Sequence, residues 1–72
     1  MLNKYEVNIL EGGPPQLQRF LVYADTIEAA AMRAGYELQQ TEPAQEIRML
    51  EKYAFIAWEG GGVLCEIVQD SE

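Results

Sequence analysis

The feature that most constrains this chain is one junction, where an apolar strand passes into its single long helical pattern. Phe20-Leu21-Val22-Tyr23 is followed, across Ala24, by Asp25-Thr26-Ile27-Glu28 and an alanine-rich run to Gln39. Four bulky residues in succession, two aromatic and one β-branched, predict a buried strand. Asp25 with Glu28 three residues later predicts a helix start, a capping box with Asp25 as the cap. From Thr26 the apolar period is helical: Ile27, Ala30, Ala31, Ala34 and Leu38 fall on one face. Three alanines there let a helix lie close to a sheet. Gly35 borders that face and costs about 1 kcal/mol of helix propensity, which a close backbone approach would explain. The opposite side carries Ala29, Met32, Arg33 and Tyr36. Met32 and Tyr36 are four apart and form one apolar patch where a simple surface helix would be polar.

The flanking segments supply the sheet. Lys4 to Leu10 alternates, with Tyr5, Val7 and Ile9 on one face, as a half-buried strand does. Glu11-Gly12-Gly13-Pro14-Pro15 breaks it, and Gln16 to Tyr23 returns as the second arm of a hairpin. Gln39-Gln40-Thr41-Glu42-Pro43 ends the helix, because proline disfavours helix in the residue before it. Residues 44 to 52 have helix-favouring side chains, and Pro43 suits a first helical position. Ile47 and Met49 nevertheless alternate with Glu46 and Arg48, and a small sheet needs partners, so a strand is expected. Tyr53 to Trp58 and Val63 to Val68 flank Glu59-Gly60-Gly61-Gly62, a hairpin about a flexible glycine turn. The expected fold is α+β, a single helix on a small antiparallel sheet in the order ββαββ, extended to a fifth strand where 44–52 pairs.

Size and charge narrow the function. A chain of 72 residues makes one small domain with no room for a deep substrate cleft, and oligomerisation is a natural way to bury more surface. No apolar run reaches the ~18 residues that span a bilayer, and Met1-Leu2-Asn3-Lys4 has no signal-peptide core, so a cytoplasmic location is expected. The single cysteine, Cys65, lies in an apolar strand and reads as a small core residue. Twelve acids against five bases give −7 with no histidine. That charge disfavours direct nucleic-acid binding and anionic membranes, and favours a partner with a basic surface. Acidity that serves only solubility is the plain alternative.

No catalytic chemistry is indicated. Histidine is absent, and the only serine, Ser71, lies in the terminal tail. Glu6, Glu46 and Glu66 could pair as acid and base, but exposed strand glutamates are far commoner. The three glycines lack the Lys, Ser or Thr of a phosphate loop. No cofactor or metal is expected, and the chain is not expected to be an enzyme. Lys4 and Arg19 fall on paired strands as possible neighbours, with ion pairing the favoured role. Trp58 reads as core. The candidate partner-binding residues are Met32 and Tyr36 as apolar anchors, with Arg33 and the steering acids Glu28 and Glu37 beside them. A structural subunit acting through homo-oligomerisation, such as a homodimer, is the rival reading.

Tyr5-Glu6-Val7 and the run Val22-Tyr23-Ala24-Asp25-Thr26-Ile27-Glu28-Ala29-Ala30, in an acidic chain of this size, carry a resemblance. The chain resembles small phage- and mobile-element-encoded inhibitors such as anti-CRISPR proteins. That resemblance implies non-catalytic inhibition, by occupying a surface of a nucleic-acid-handling complex.

Overall fold

Period-two alternation builds the first strand, β1 (Asn3–Glu11), which buries Tyr5, Val7 and Ile9 on one side. It is followed by β2 (Arg19–Ala24), α1 (Ile27–Gln39), β3 (Glu46–Leu50), β4 (Tyr53–Trp58) and β5 (Gly61–Gln69). This computed structural model describes residues 1–39 and 42–70. The expected helix stop at Gln40 and Thr41 and the expected frayed end at Ser71 and Glu72 lie outside the described residues.

The class is α+β, with one helix and a five-stranded sheet that is antiparallel throughout. The chain order is ββαβββ, so residues 44–52 contribute a full strand and the four-stranded ββαββ order is superseded. In space the strands run β2-β1-β5-β4-β3. The last strand inserts between the N-terminal hairpin and β4, which leaves β2 and β3 as the two edges. The helix covers one face only. Beneath it lie Val7, Ile9, Val22, Ile56, Val63, Cys65 and Ile67, met by Ala30, Ala31 and Ala34. Ile27 and Leu38 pack partly buried at the helix ends, as the helical period predicts.

Several local expectations are corrected. Phe20-Leu21-Val22-Tyr23 is not a buried strand. It is an edge strand with Val22 buried and Leu21 and Tyr23 half-exposed, because among the described residues no strand and no second helix covers its outer side. It begins at Arg19 rather than Gln16. The helix cap is Thr26, whose Oγ1 accepts from the Ala29 N–H at 3.1 Å. Asp25 instead faces the N-terminal ammonium at 3.7 Å, and its backbone carbonyl accepts from Asn3 Nδ2. Of the three glycines only Gly60, at φ +93°, occupies the β4–β5 turn, while Gly61 and Gly62 are strand residues. Gly35 is not held by close approach, since a Cβ there would first meet Ile56 Cγ2 at 3.4 Å, an ordinary contact.

Candidate functional site

The helix side turned away from the sheet carries the residues singled out from the sequence, but the fold divides them. Met32 and Tyr36 are 57% and 50% exposed. Met32 and Glu28 line a shallow groove of about 340 Å³ against β3, with Ala44, Ile47 and Met49. Tyr36, Arg33 and Glu37 line a groove of about 360 Å³ against β2, with Leu2, Leu21 and Tyr23. The expected single patch is therefore shared between the two flanks of α1. One helical turn separates the pair along the axis, and each lines a different groove.

The larger apolar surface is the uncovered face of the sheet, which the sequence reading overlooked. Residues at alternate positions to the core point there: Leu21 and Tyr23 on β2, Leu64 and Val68 on β5, Tyr53 and Phe55 on β4, and Leu50 on β3. Six of these, Leu64 aside, are between 38% and 74% exposed. The register sets Tyr53 beside Leu50 and Phe55 beside Leu64 as one cluster. Leu21 and Val68, opposite each other across Glu6, form another with Tyr23. Phe55 also lies over Gly62, where a Cβ would come within 2.6 Å of its ring. A signal for this face was present in the sequence. The strands Phe20–Ala24 and Tyr53–Trp58 are apolar at both parities, and a chain with one helix can cover only one of the two faces.

The charges on this face are committed to one another. Arg19 pairs with Glu6, Arg48 with Glu46 at 2.7 Å, Lys52 with Glu66 at 3.0 Å and Lys4 with Asp70 at 3.4 Å. Lys4 and Arg19 are thus not neighbours. They lie opposite Tyr23 and Asn8, and ion pairing is their observed role. Lys52 also sits 5.7 Å from the Tyr53 ring centroid. The hydrogen bond and charge of Glu66 hold its ammonium above the ordinary lysine value. Four of the five bases being neutralised in this way, the net charge of −7 falls on the remaining acids, with Arg33 the one base outside these pairs. Glu28 and Glu37 lie on the helix, Glu11 at the end of β1, Glu51 and Glu59 in turns and Glu42 in the connection before β3. The face is neutral, and the remaining acids lie in the turns and connections at the ends of the strands and on the helix across the sheet.

Cys65 is fully buried on the covered side, its Sγ 3.6 Å from the Ala54 carbonyl, and burial pushes its thiol up to about 11. A thiol so placed is inert packing at neutral pH. Trp58 is partly buried against the core. Glu6, Glu46 and Glu66 lie on the bare face, each bound to its own base and on a different strand. Among the described residues no three His, Cys, Asp or Glu side chains gather where they could hold a metal ion. No described helix is long and apolar enough to cross a membrane.

No family model, no curated protein and no solved structure matches this chain.

Proposed function

We propose that this chain is a non-catalytic protein-binding module whose uncovered sheet face docks on an apolar surface rimmed by basic groups. The observation that carries the reading is that face: six exposed large apolar side chains on one side of one sheet, interleaved with charges already paired. Exposed apolar clusters of this kind, gathered on one face, mark candidate interaction sites. Paired charges add specificity without presenting an unpaired ion to be desolvated. The net acidity steers a basic partner and rejects acidic ones. A sheet bearing exposed aromatics also suits stacking on single-stranded RNA, but that mode relies on free cations along the phosphates. Here those cations are bound to carboxylates.

The specific form proposed is an inhibitor of the kind carried by phages and mobile elements, anti-CRISPR proteins among them, occupying a basic, nucleic-acid-handling surface. Its support is the combination of small size, net acidity and apolar face. A second reading places the anchor on the helix, through Tyr36 and Met32 between Glu28 and Glu37, since both apolar side chains are at least half exposed.

Affinity capture from cell lysate tests these readings together, with wild type compared against Phe55→Ser and Tyr36→Ala. The expected result is a basic protein retained by wild type and Tyr36→Ala, lost with Phe55→Ser, and released as salt rises. Loss with Tyr36→Ala alone would move the site to the helix. Tight binding of RNA or DNA at moderate salt would sink the protein-binding reading.

A further inference from the structure

The two edges of the sheet are not equally protected. At β3 charge and proline blunt the edge: Pro43 precedes it, Glu46 and Arg48 alternate along it, and Ile47 and Met49 turn under the helix. From Phe20 to Ala24, β2 has no charge, no proline and no bulge. The Ile9 N–H donates to the Gln18 carbonyl at 2.8 Å, and the register continues as Val7 with Phe20 and Tyr5 with Val22. In an antiparallel ladder the alternate residues Arg19, Leu21 and Tyr23 therefore aim their N–H and C=O groups away from β1. β2 ends the sheet, so no strand among the described residues receives them.

We infer that β2 pairs with β2 of a second copy of this chain, antiparallel about a two-fold axis at Leu21, joining two sheets into one of ten strands. The inference does not rest on the partner reading above, because it concerns the edge and not the face. What selects a second copy as the occupant is self-complementarity, which a two-fold interface requires. With the axis at Leu21, its outward groups meet those of the partner's Leu21, and Arg19 falls opposite the partner's Tyr23. Each of those pairs exchanges two hydrogen bonds. On the bare face, Arg19 then reaches an aromatic ring, a favourable cation–π arrangement. On the helix face, Phe20 stands opposite the partner's Val22 and fills the groove between β2 and α1.

That groove supplies the charge match. Arg33 and Glu37, one helical turn apart, both line it, and Arg33 is in no ion pair among the described residues. The helix packs more heavily on β2 than on any other strand. Across the axis the two helices run antiparallel side by side, which sets Arg33 toward the partner's Glu37 and Glu37 toward the partner's Arg33. Two copies at −7 repel at long range, so association strengthens as salt screens them. The two bare faces also become continuous.

Sedimentation and amide exchange on the protein alone test this. At about 100 µM the wild type is expected at twice the monomer mass, more so in high salt. The Arg19, Leu21 and Tyr23 amides should gain protection with concentration, while those of Phe20 and Val22 stay protected at every concentration. Leu21→Pro removes an outward N–H without breaking a bond to β1, and Leu21→Lys places a charge on the axis; either should halve the mass. Arg33→Glu should weaken the dimer, and combining it with Glu37→Arg should restore it. A wild type that is monomeric throughout overturns the inference. So does a dimer that survives Leu21→Pro and Leu21→Lys but is lost with Tyr53→Lys, since that interface would be the face.

Discussion

The covered and bare faces of the sheet are built from the same five strands and both carry large apolar side chains, yet they differ in burial and in charge. The covered face carries β-branched aliphatics, Tyr5 and Cys65 at 9% exposure or less, with Phe20, Met49 and Trp58 packed beside them, met by a helix whose inner side is mostly alanine. Among the described residues it buries no polar or charged side chain. Small residues on the helix and medium ones on the sheet bring the layers close, and the result is dry and tightly packed. The bare face also carries long and aromatic side chains, Leu21, Tyr23, Leu50, Tyr53 and Phe55, but leaves them 40–74% exposed between four ion pairs. The covered face holds the fold together. The bare face leaves large apolar side chains to water.

The sharpest way to break this contrast is to truncate neighbouring residues that point to opposite sides. Ile56→Ala, at 0% exposure, should cost about 2–5 kcal/mol through lost burial and the cavity left behind. Phe55→Ala should cost about 1 kcal/mol or less in the isolated chain, because much of its ring already meets water. Urea midpoints of the two variants measure the difference. Equal costs would mean that the bare face is covered in solution, and concentration dependence of the Phe55→Ala value would say by what.

Next in size is the closeness of the helix. Ala31→Leu or Ala34→Leu should destabilise by about 1–3 kcal/mol, because a fully buried alanine leaves no space for three further carbons. A stabilised variant would show a looser covered face than the structure describes.

The helix start gives a smaller and more local effect. Thr26→Ala should cost about 1 kcal/mol by orphaning the Ala29 amide, while Asp25→Ala should cost less than half of that. Thermal midpoints in the reverse order would return the cap to Asp25. Smallest, and of opposite sign, is Gly35→Ala. Its Cβ would rest at ordinary contact distance from Ile56, so the gain in helix propensity should dominate, about 0.5–1 kcal/mol of added stability. A loss there would mean that the helix is seated closer to β4 than 3.4 Å allows.

Much of the fold was legible in the sequence, and so was the exposure of the candidate site residues on the helix. Every strand was anticipated, including β3, where the alternation of Ile47 and Met49 outweighed helix-favouring composition. The inner helix face was read correctly at Ile27, Ala30, Ala31, Ala34 and Leu38, because burial follows a 3.6-residue period that the sequence displays directly, while Ala29, expected on the opposite side, packs partly buried against the core. Met32 and Tyr36 were correctly expected on the outer side. Their division between two grooves was not legible, since it depends on which strand flanks each side of the helix. The cap was missed by one residue. Asp and Thr are both good caps, and which is used depends on where the chain leaves the strand.

What the sequence by itself determined is therefore one-dimensional: the extent and period of each element, the small-residue seam of α1, the buried place of Cys65 and the net charge. The tertiary structure alone decided that β5 lies between β1 and β4, that β2 becomes an unprotected edge, and that the Leu21, Tyr53 and Phe55 side is left bare. The physical reason is that strand neighbours are chosen by pairings between residues as far apart as Tyr5 and Gln69. No local propensity encodes such a pairing. Alternation marks two faces on every strand, and only the placement of the single helix says which of them meets water.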